Sequence, residues 1–229
     1  MAQQTSAKDR GFLEGQTAWI TVRAGPVGRE IAAALAKAGA AVGVGLLSRE
    51  SAEPQTSEIA SLDAMLDAVA MAGRTGVGGV FDMSSGEALQ RFSAQIERDL
   101  GPISILVHVI RPAGTRRDLA LLDAGLQDWL NIIEALRPSM MERRWGRIIS
   151  VIDVSDRAGI DRQWKELAQT RLESLTRGVA LNVGNSGVAC FLLGRDAPRE
   201  PGQIARLVTA LCADEALPLS GQSVTLFRA

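Results

Sequence analysis

The stretch Thr17–Leu47, TAWITVRAGPVGREIAAALAKAGAAVGVGLL, decides the fold. Thr17–Val22 is almost wholly apolar and rich in residues that suit a strand. A Gly/Pro turn follows at Ala24–Gly28. Arg29–Ala38 is then rich in alanine, with its apolar positions at helical spacing, and Gly39 is a suitable stop because glycine tolerates the backbone turn past a helix end. Ala41–Leu47 (AVGVGLL) returns as a second strand. Uninterrupted apolar strands imply burial on both faces, and a helix between two such strands implies parallel pairing.

Outward from this unit the same alternation repeats. A helix is expected over Ser57–Ala72, a strand over Gly78–Phe81, and a helix over Gly86–Leu100 with Ser84 or Ser85 as N-cap. Strand Ile103–Ile110, helix Leu119–Arg143, strand Gly146–Ile152 and the long helix Arg162–Val183 come next. Strand Val188–Leu193, helix Gly202–Ala213 and strand Ser223–Phe227 complete the series. The expected class is α/β: a single doubly wound Rossmann-type parallel sheet of about seven strands with helices on both faces. No linker or internal repeat divides it, so residues 15–229 are expected to form one domain behind a loose tail over residues 1–14.

Composition narrows the function. The 229 residues carry 25 Lys+Arg against 26 Asp+Glu, a net charge of −1 that supplies no field for nucleic acid or an anionic membrane. No apolar run approaches the roughly 20 residues of a spanning helix. The polar N-terminus has no signal-peptide core, and Cys190 and Cys212 lack CxxC spacing, so a reducing cytoplasm is expected. With 1 His and no paired cysteines a metal site is not expected. The sequence contains no tyrosine, which excludes any mechanism that needs a phenol.

Four stretches resemble the short-chain dehydrogenase/reductase family, in order along nearly the whole chain. Leu100–Val107 (LGPISILV) is similar to its fourth-strand region and Pro138–Ile149 (PSMMERRWGRII) to the helix end and fifth strand. Leu172–Arg177 (LESLTR) resembles the middle of its long sixth helix, and Leu211–Gln222 (LCADEALPLSGQ) the segment before its last strand. The resemblance implies a nicotinamide-dependent oxidoreductase fold, yet the residues that would do the chemistry differ.

The family's loop Thr-Gly-x-x-x-Gly-x-Gly falls on Thr21–Gly28, where Val22 and Pro26 replace two glycines and only Gly28 remains. Glycine lets the backbone approach a pyrophosphate, whereas Val22 adds a branched side chain and Pro26 removes an N–H. Gly28 is equally explained by close packing of helix on strand, and Arg23 is the residue an altered phosphate site would use. Where an acid would hold the adenosine ribose the chain has Gly45, Leu46 and Leu47, with Glu50 too far along. Asp82 matches a family Asp that contacts adenine, or else caps the turn that follows.

The family's Asn-Asn-Ala-Gly becomes His108-Val109-Ile110-Arg111, so His108 is either a structural histidine or an acid/base group. The family's catalytic Ser falls on Asp153. Its Tyr-x-x-x-Lys pair, which the resemblance makes the proton donor and its pKa-lowering, ribose-binding partner, falls on Lys165 and Gln169. Trp164 is one residue off. The family's Asn on the preceding helix falls on Gly125, with Asn131 six residues late. Only Gly194–Glu200 separates the sixth strand from the final helix, too short for a folded substrate lid.

These departures imply a chain without catalytic residues and without a cofactor of its own. The expectation is a pseudoenzyme subunit of a hetero-oligomer, a heterotetramer, whose active short-chain dehydrogenase subunit holds NAD. Long helices such as Arg162–Val183, with Leu167, Leu172, Leu175 and Val179, would serve core and assembly. The assembly's substrate would be a hydroxyacyl-CoA of anaerobic toluene (benzylsuccinate) degradation. One alternative is a ligand sensor using Asp82, Arg111, Arg116 and Arg117, since guanidinium groups suit phosphates and carboxylates. The other is replacement chemistry at Asp153 and Lys165, a desolvated lysine being able to act as base or nucleophile.

Overall fold

The computed structural model describes residues 11–23, 25–48, 56–82, 85–110, 119–153, 162–195 and 201–226. Strand and helix alternate: β1 Thr17–Val22, α1 Pro26–Lys37, β2 Ala41–Ser48, α2 Thr56–Met71, β3 Gly76–Asp82, α3 Gly86–Leu100 and β4 Ile103–Ile110. The chain continues as α4 Leu119–Glu142, β5 Gly146–Asp153, α5 Arg162–Val183, β6 Val188–Arg195, α6 Pro201–Leu211, a 3-10 helix Asp214–Leu219 and β7 Ser223–Leu226. The strands form one parallel sheet in the order β3-β2-β1-β4-β5-β6-β7. This is the doubly wound arrangement expected from the alternation.

Because successive side chains point to opposite faces, each strand feeds two cores. Ile20, Val44, Val107, Ile149 and Phe191 lie on one face with Ile31 and Leu35 of α1 and Ile204 and Val208 of α6. Trp19, Leu106, Ile148 and Cys190 lie on the other with residues of α3, α4 and α5. On that second face the glycines of β2 and β3 make room for bulky neighbours. A Cβ at Gly45 would lie 2.5 Å from Phe81, and one at Gly79 would lie 2.8 Å from Phe92. Phe81 and Phe92 stack at 5.2 Å and Trp19 tilts against both, so aromatic area replaces the missing side chains.

Several boundaries differ from the sequence expectation. The first helix begins at Pro26 rather than Arg29, because proline at the first helical position presets φ and loses only an N–H that would be orphaned there. Ser85 is the N-cap of α3, its Oγ accepting from Ala88 N–H at 3.2 Å, while Ser84 lies outside the described residues. β3 runs from Gly76 to Asp82, longer at both ends than Gly78–Phe81. Within residues 11–14, assigned to the tail, Leu13 is packed: it is 1% exposed and its N–H donates to Ala38 O at 2.8 Å, while Phe12 and Glu14 are exposed. Among the described residues no helix is long and apolar enough to cross a membrane.

Candidate functional site

In a doubly wound sheet the functional crevice opens at the C-terminal ends of the strands, where the winding reverses. Here the reversal falls between β1 and β4. The N-terminus of α1 stands over β1 at this point, and its first residues decide whether a phosphate could be cradled. Pro26 occupies the first turn and offers no N–H, and Gly25 precedes it with no side-chain cap. Val22 does not project toward the crevice. It is 1% exposed and points into the layer between β1 and α1. A Cβ on Gly28 would lie 2.9 and 3.1 Å from its two methyls and 2.7 Å from Met65 Cε. The retained Gly28 thus serves close packing of α1 on Val22. These residues do not fit the glycine-lined cradle of a pyrophosphate. Beside them, Leu46 is buried in the core, and no carboxylate stands at Gly45, Leu46 or Leu47.

Polar side chains lie at the C-terminal ends of the central strands. Thr21 and His108 are opposite one another across β1 and β4. Thr21 Oγ1 and His108 Nδ1 are 2.5 Å apart, with Thr21 fully buried and His108 4% exposed. Burial without a charged partner pulls the imidazole down to about 4, so it is neutral at ordinary pH. Ser150 follows His108 in the same row on β5, and its Oγ accepts from Trp129 Nε1 of α4 at 2.6 Å. Sequence reading missed both pairs. The available signal was a polar residue late in each otherwise apolar strand: Thr21, His108 and Ser150.

The matched catalytic positions separate as follows. Gln169, expected from the sequence at the place of a lysine, donates from Nε2 to Thr225 Oγ1 of β7 and to Glu173 Oε1, each at 2.9 Å. It therefore bridges α5 to the edge strand. Asp153 is the last residue of β5, and Trp164 and Lys165 lie in the first turn of α5; their side chains lie outside what is described. Asp82 ends β3, half-buried at the same edge of the sheet. Arg23 follows β1, also partly exposed. Asn131 is exposed on α4 and accepts from Gln127 at 3.0 Å, turned to solvent. A Cβ at Gly125 would meet open space. Glu50, Arg111, Arg116 and Arg117 lie outside the described residues.

Cys190 and Cys212 are free and buried, and burial raises both thiols, Cys212 to about 12 despite nearby Arg147. Neither is a nucleophile at neutral pH. Among the described residues no group of His, Cys, Asp and Glu could hold a metal ion.

A family model described as Enoyl-(Acyl carrier protein) reductase matches residues 24–194, which spans the crevice from α1 to β6. The chain belongs to the short-chain dehydrogenase/reductase family. It is 27% identical over 215 residues to the 3-oxoacyl-[acyl-carrier-protein] reductase FabG of Haemophilus influenzae, covering 89% of this chain and 80% of that protein. It is 32% identical over 158 residues to a short chain dehydrogenase of Pseudocercospora fijiensis, spanning 63% of this chain but only 47% of the relative. An acetoacetyl-CoA reductase of Shinella zoogloeoides is 26% identical over 186 residues, 63% of this chain and 75% of the relative.

Proposed function

We propose that this chain is a non-catalytic subunit of a hetero-oligomeric oxidoreductase, holding no dinucleotide itself and supporting an active short-chain dehydrogenase subunit that binds NAD. The observation that carries this reading is the use made of Gln169. An amide replaces the ammonium at the position matched to the catalytic lysine, and its hydrogen bonds to Thr225 and Glu173 are internal. A catalytic group must present its proton or charge to a ligand, and Gln169 does neither. The substitutions at Val22 and Pro26 and the absence of tyrosine agree with it.

The proposed assembly is a cytoplasmic heterotetramer. Relatives named for acetoacetyl-CoA and 3-oxoacyl-[acyl-carrier-protein] favour a thioester substrate in the active subunit. Within that class we favour the inactive subunit of 2-[hydroxy(phenyl)methyl]succinyl-CoA dehydrogenase in anaerobic toluene breakdown, on the resemblance of the chain to such inactive partners.

The test is affinity purification from the native cell. The expected result is co-purification with a chain carrying Tyr-x-x-x-Lys, with hydroxyacyl-CoA oxidation that survives Asp153→Ala and Lys165→Ala in this chain. Loss of the partner's tyrosine abolishes that oxidation. A homomer that reduces NAD and loses activity on Lys165→Ala overturns the reading.

A further inference from the structure

Helix α5 and the edge strand β7 meet along a polar seam. Ser223 and Thr225 of β7 pair with Leu192 and Gly194 of β6, and Leu192 belongs to the core on the α5 side of the sheet. Residues paired across a ladder share a face, so Ser223 and Thr225 both turn toward α5. The seam is fastened at each end. A Cβ on Gly221 would lie 3.2 Å from Ala180 Cβ, whereas Thr225 Oγ1 is reached only by the full length of Gln169, at 2.9 Å from Nε2. The helix therefore lies close to the chain at Gly221 and stands farther off at Thr225. Between these contacts the strand spans about 13 Å and the helix about 16 Å. Ser223 is midway along the strand. The inward residue of the facing helix turn is Thr176, on the same face as Gln169 and Ala180 and 0% exposed. Neither Thr176 Oγ1 nor Ser223 Oγ, both buried, has a hydrogen-bond partner among the described residues. The carbonyl one turn earlier, a common acceptor for a helical threonine, is not used.

We propose that α5 and β7 enclose a binding site for one internal water molecule, which bridges Thr176 Oγ1 and Ser223 Oγ. Three observations support it. Two hydroxyls that are short of a partner face the same seam, and buried hydroxyls are ordinarily satisfied. The seam widens from Gly221 toward Thr225, so two short side chains at its middle do not reach one another, and a water spans that interval with two hydrogen bonds of about 2.8 Å. The surroundings are polar enough to keep it: Glu173, one turn before Thr176, brings a carboxylate to the seam through its bond with Gln169. The water would hold the middle of β7 as Gln169 holds its end. β7 has 4 residues and one neighbouring strand, so contacts with α5 carry much of its attachment. The site is independent of whether the chain catalyses.

The test joins a crystal structure of the full chain that shows ordered water with urea unfolding of Thr176→Val, Ser223→Ala and the double variant. The expected density is one water at about 2.6–3.2 Å from both hydroxyl oxygens. Valine keeps the shape of threonine and loses the hydroxyl, so the folding equilibrium constant should fall about 2- to 10-fold, as for a lost hydrogen bond. Ser223→Ala should lower it likewise. The double variant should lose less than the product of the two, because both changes unseat the same water. The sign is decisive. A buried hydroxyl without a partner is better replaced by an apolar group, so a rise in stability in either single variant overturns the site. A direct Thr176–Ser223 hydrogen bond, a bond from Thr176 to the Leu172 carbonyl, or strictly additive losses overturn it as well. If Thr176→Val does not fold, wild-type density and Ser223→Ala decide: a dry seam, or a gain from alanine, sinks the proposal.

Discussion

His108 shows what burial does to an ionisable group that no charged partner faces. Its pKa falls from 6.5 to about 4 because charging it inside the sheet forfeits hydration with no carboxylate in compensation. A lowered folded-state value means the native state resists protonation. The histidine's contribution is complete above pH 6.5 and is lost as the pH falls from 6.5 toward 4. The full effect is about 3 kcal/mol. Urea unfolding across that window should show the wild type losing about that much more stability than His108→Gln; parallel pH curves for the two would contradict a buried neutral imidazole. Gln169 and His108 also mark how far residues could be understood from sequence. Their places were legible by counting from LESLTR and ISILV. Their partners were not, because Thr225 is 56 residues from Gln169 and Thr21 is 87 from His108. Pairings of that separation are set by strand order, which periodicity leaves open.

Packing of α1 on β1 turns on a trade between two positions. Val22 fills the space under the helix, and Gly28 gives it that space. Gly28→Ala should therefore cost about 1–3 kcal/mol, as overpacking a close contact does. Val22→Ala in the same chain should recover part of the loss, since the two positions share one contact. Denaturant midpoints of the two single variants and the double variant test this, with strict additivity as the contrary result. The strand–helix alternation was readable because each element carries its own period. The start of α1 was not, since Pro26 reads as a turn residue and as a first helical residue alike. The 3-10 helix Asp214–Leu219 was missed for a related reason, as DEALPL is too short to show a period and contains Pro218.

At the scale of the whole molecule, Arg147 joins three parts of the chain: the start of β5, the turn before β6 and the start of the 3-10 helix. It is 1% exposed at the start of β5, with its guanidinium donating to Asp214 at 2.7 Å, Gly146 O at 2.9 Å and Gly187 O at 3.2 Å. It also lies 4.5 Å over the Trp145 ring, whose indole N–H reaches the same Asp214 at 2.9 Å. Burial lowers the guanidinium pKa and Asp214 opposes the shift, leaving a cation that closes the base of the sheet. Asp214→Ala should cost about 1–2 kcal/mol, reduced by the solvent around that carboxylate but not abolished. Glu87→Ala, which breaks an ion pair exposed on both sides, should change stability by less than about 0.5 kcal/mol. Equal unfolding midpoints for the two variants would show that Arg147 does not depend on its partner.

Among the described residues, Trp19 and Trp129 are the fully buried tryptophans, and they sit in unlike surroundings. Trp19 is wedged against Phe81 and Phe92 with an indole N–H that meets no acceptor, and Trp129 gives its N–H to Ser150 beside the central strands. Each is an optical probe of a different part of the same face of the sheet, one in a dry aromatic nest and one in a polar row. Their light is free of one ordinary contaminant, because the chain has no tyrosine to excite or to pass energy on. In any purified assembly, phenol absorbance or emission therefore belongs to another chain, and energy transfer into Trp19 or Trp129 would report how near that chain's phenols come.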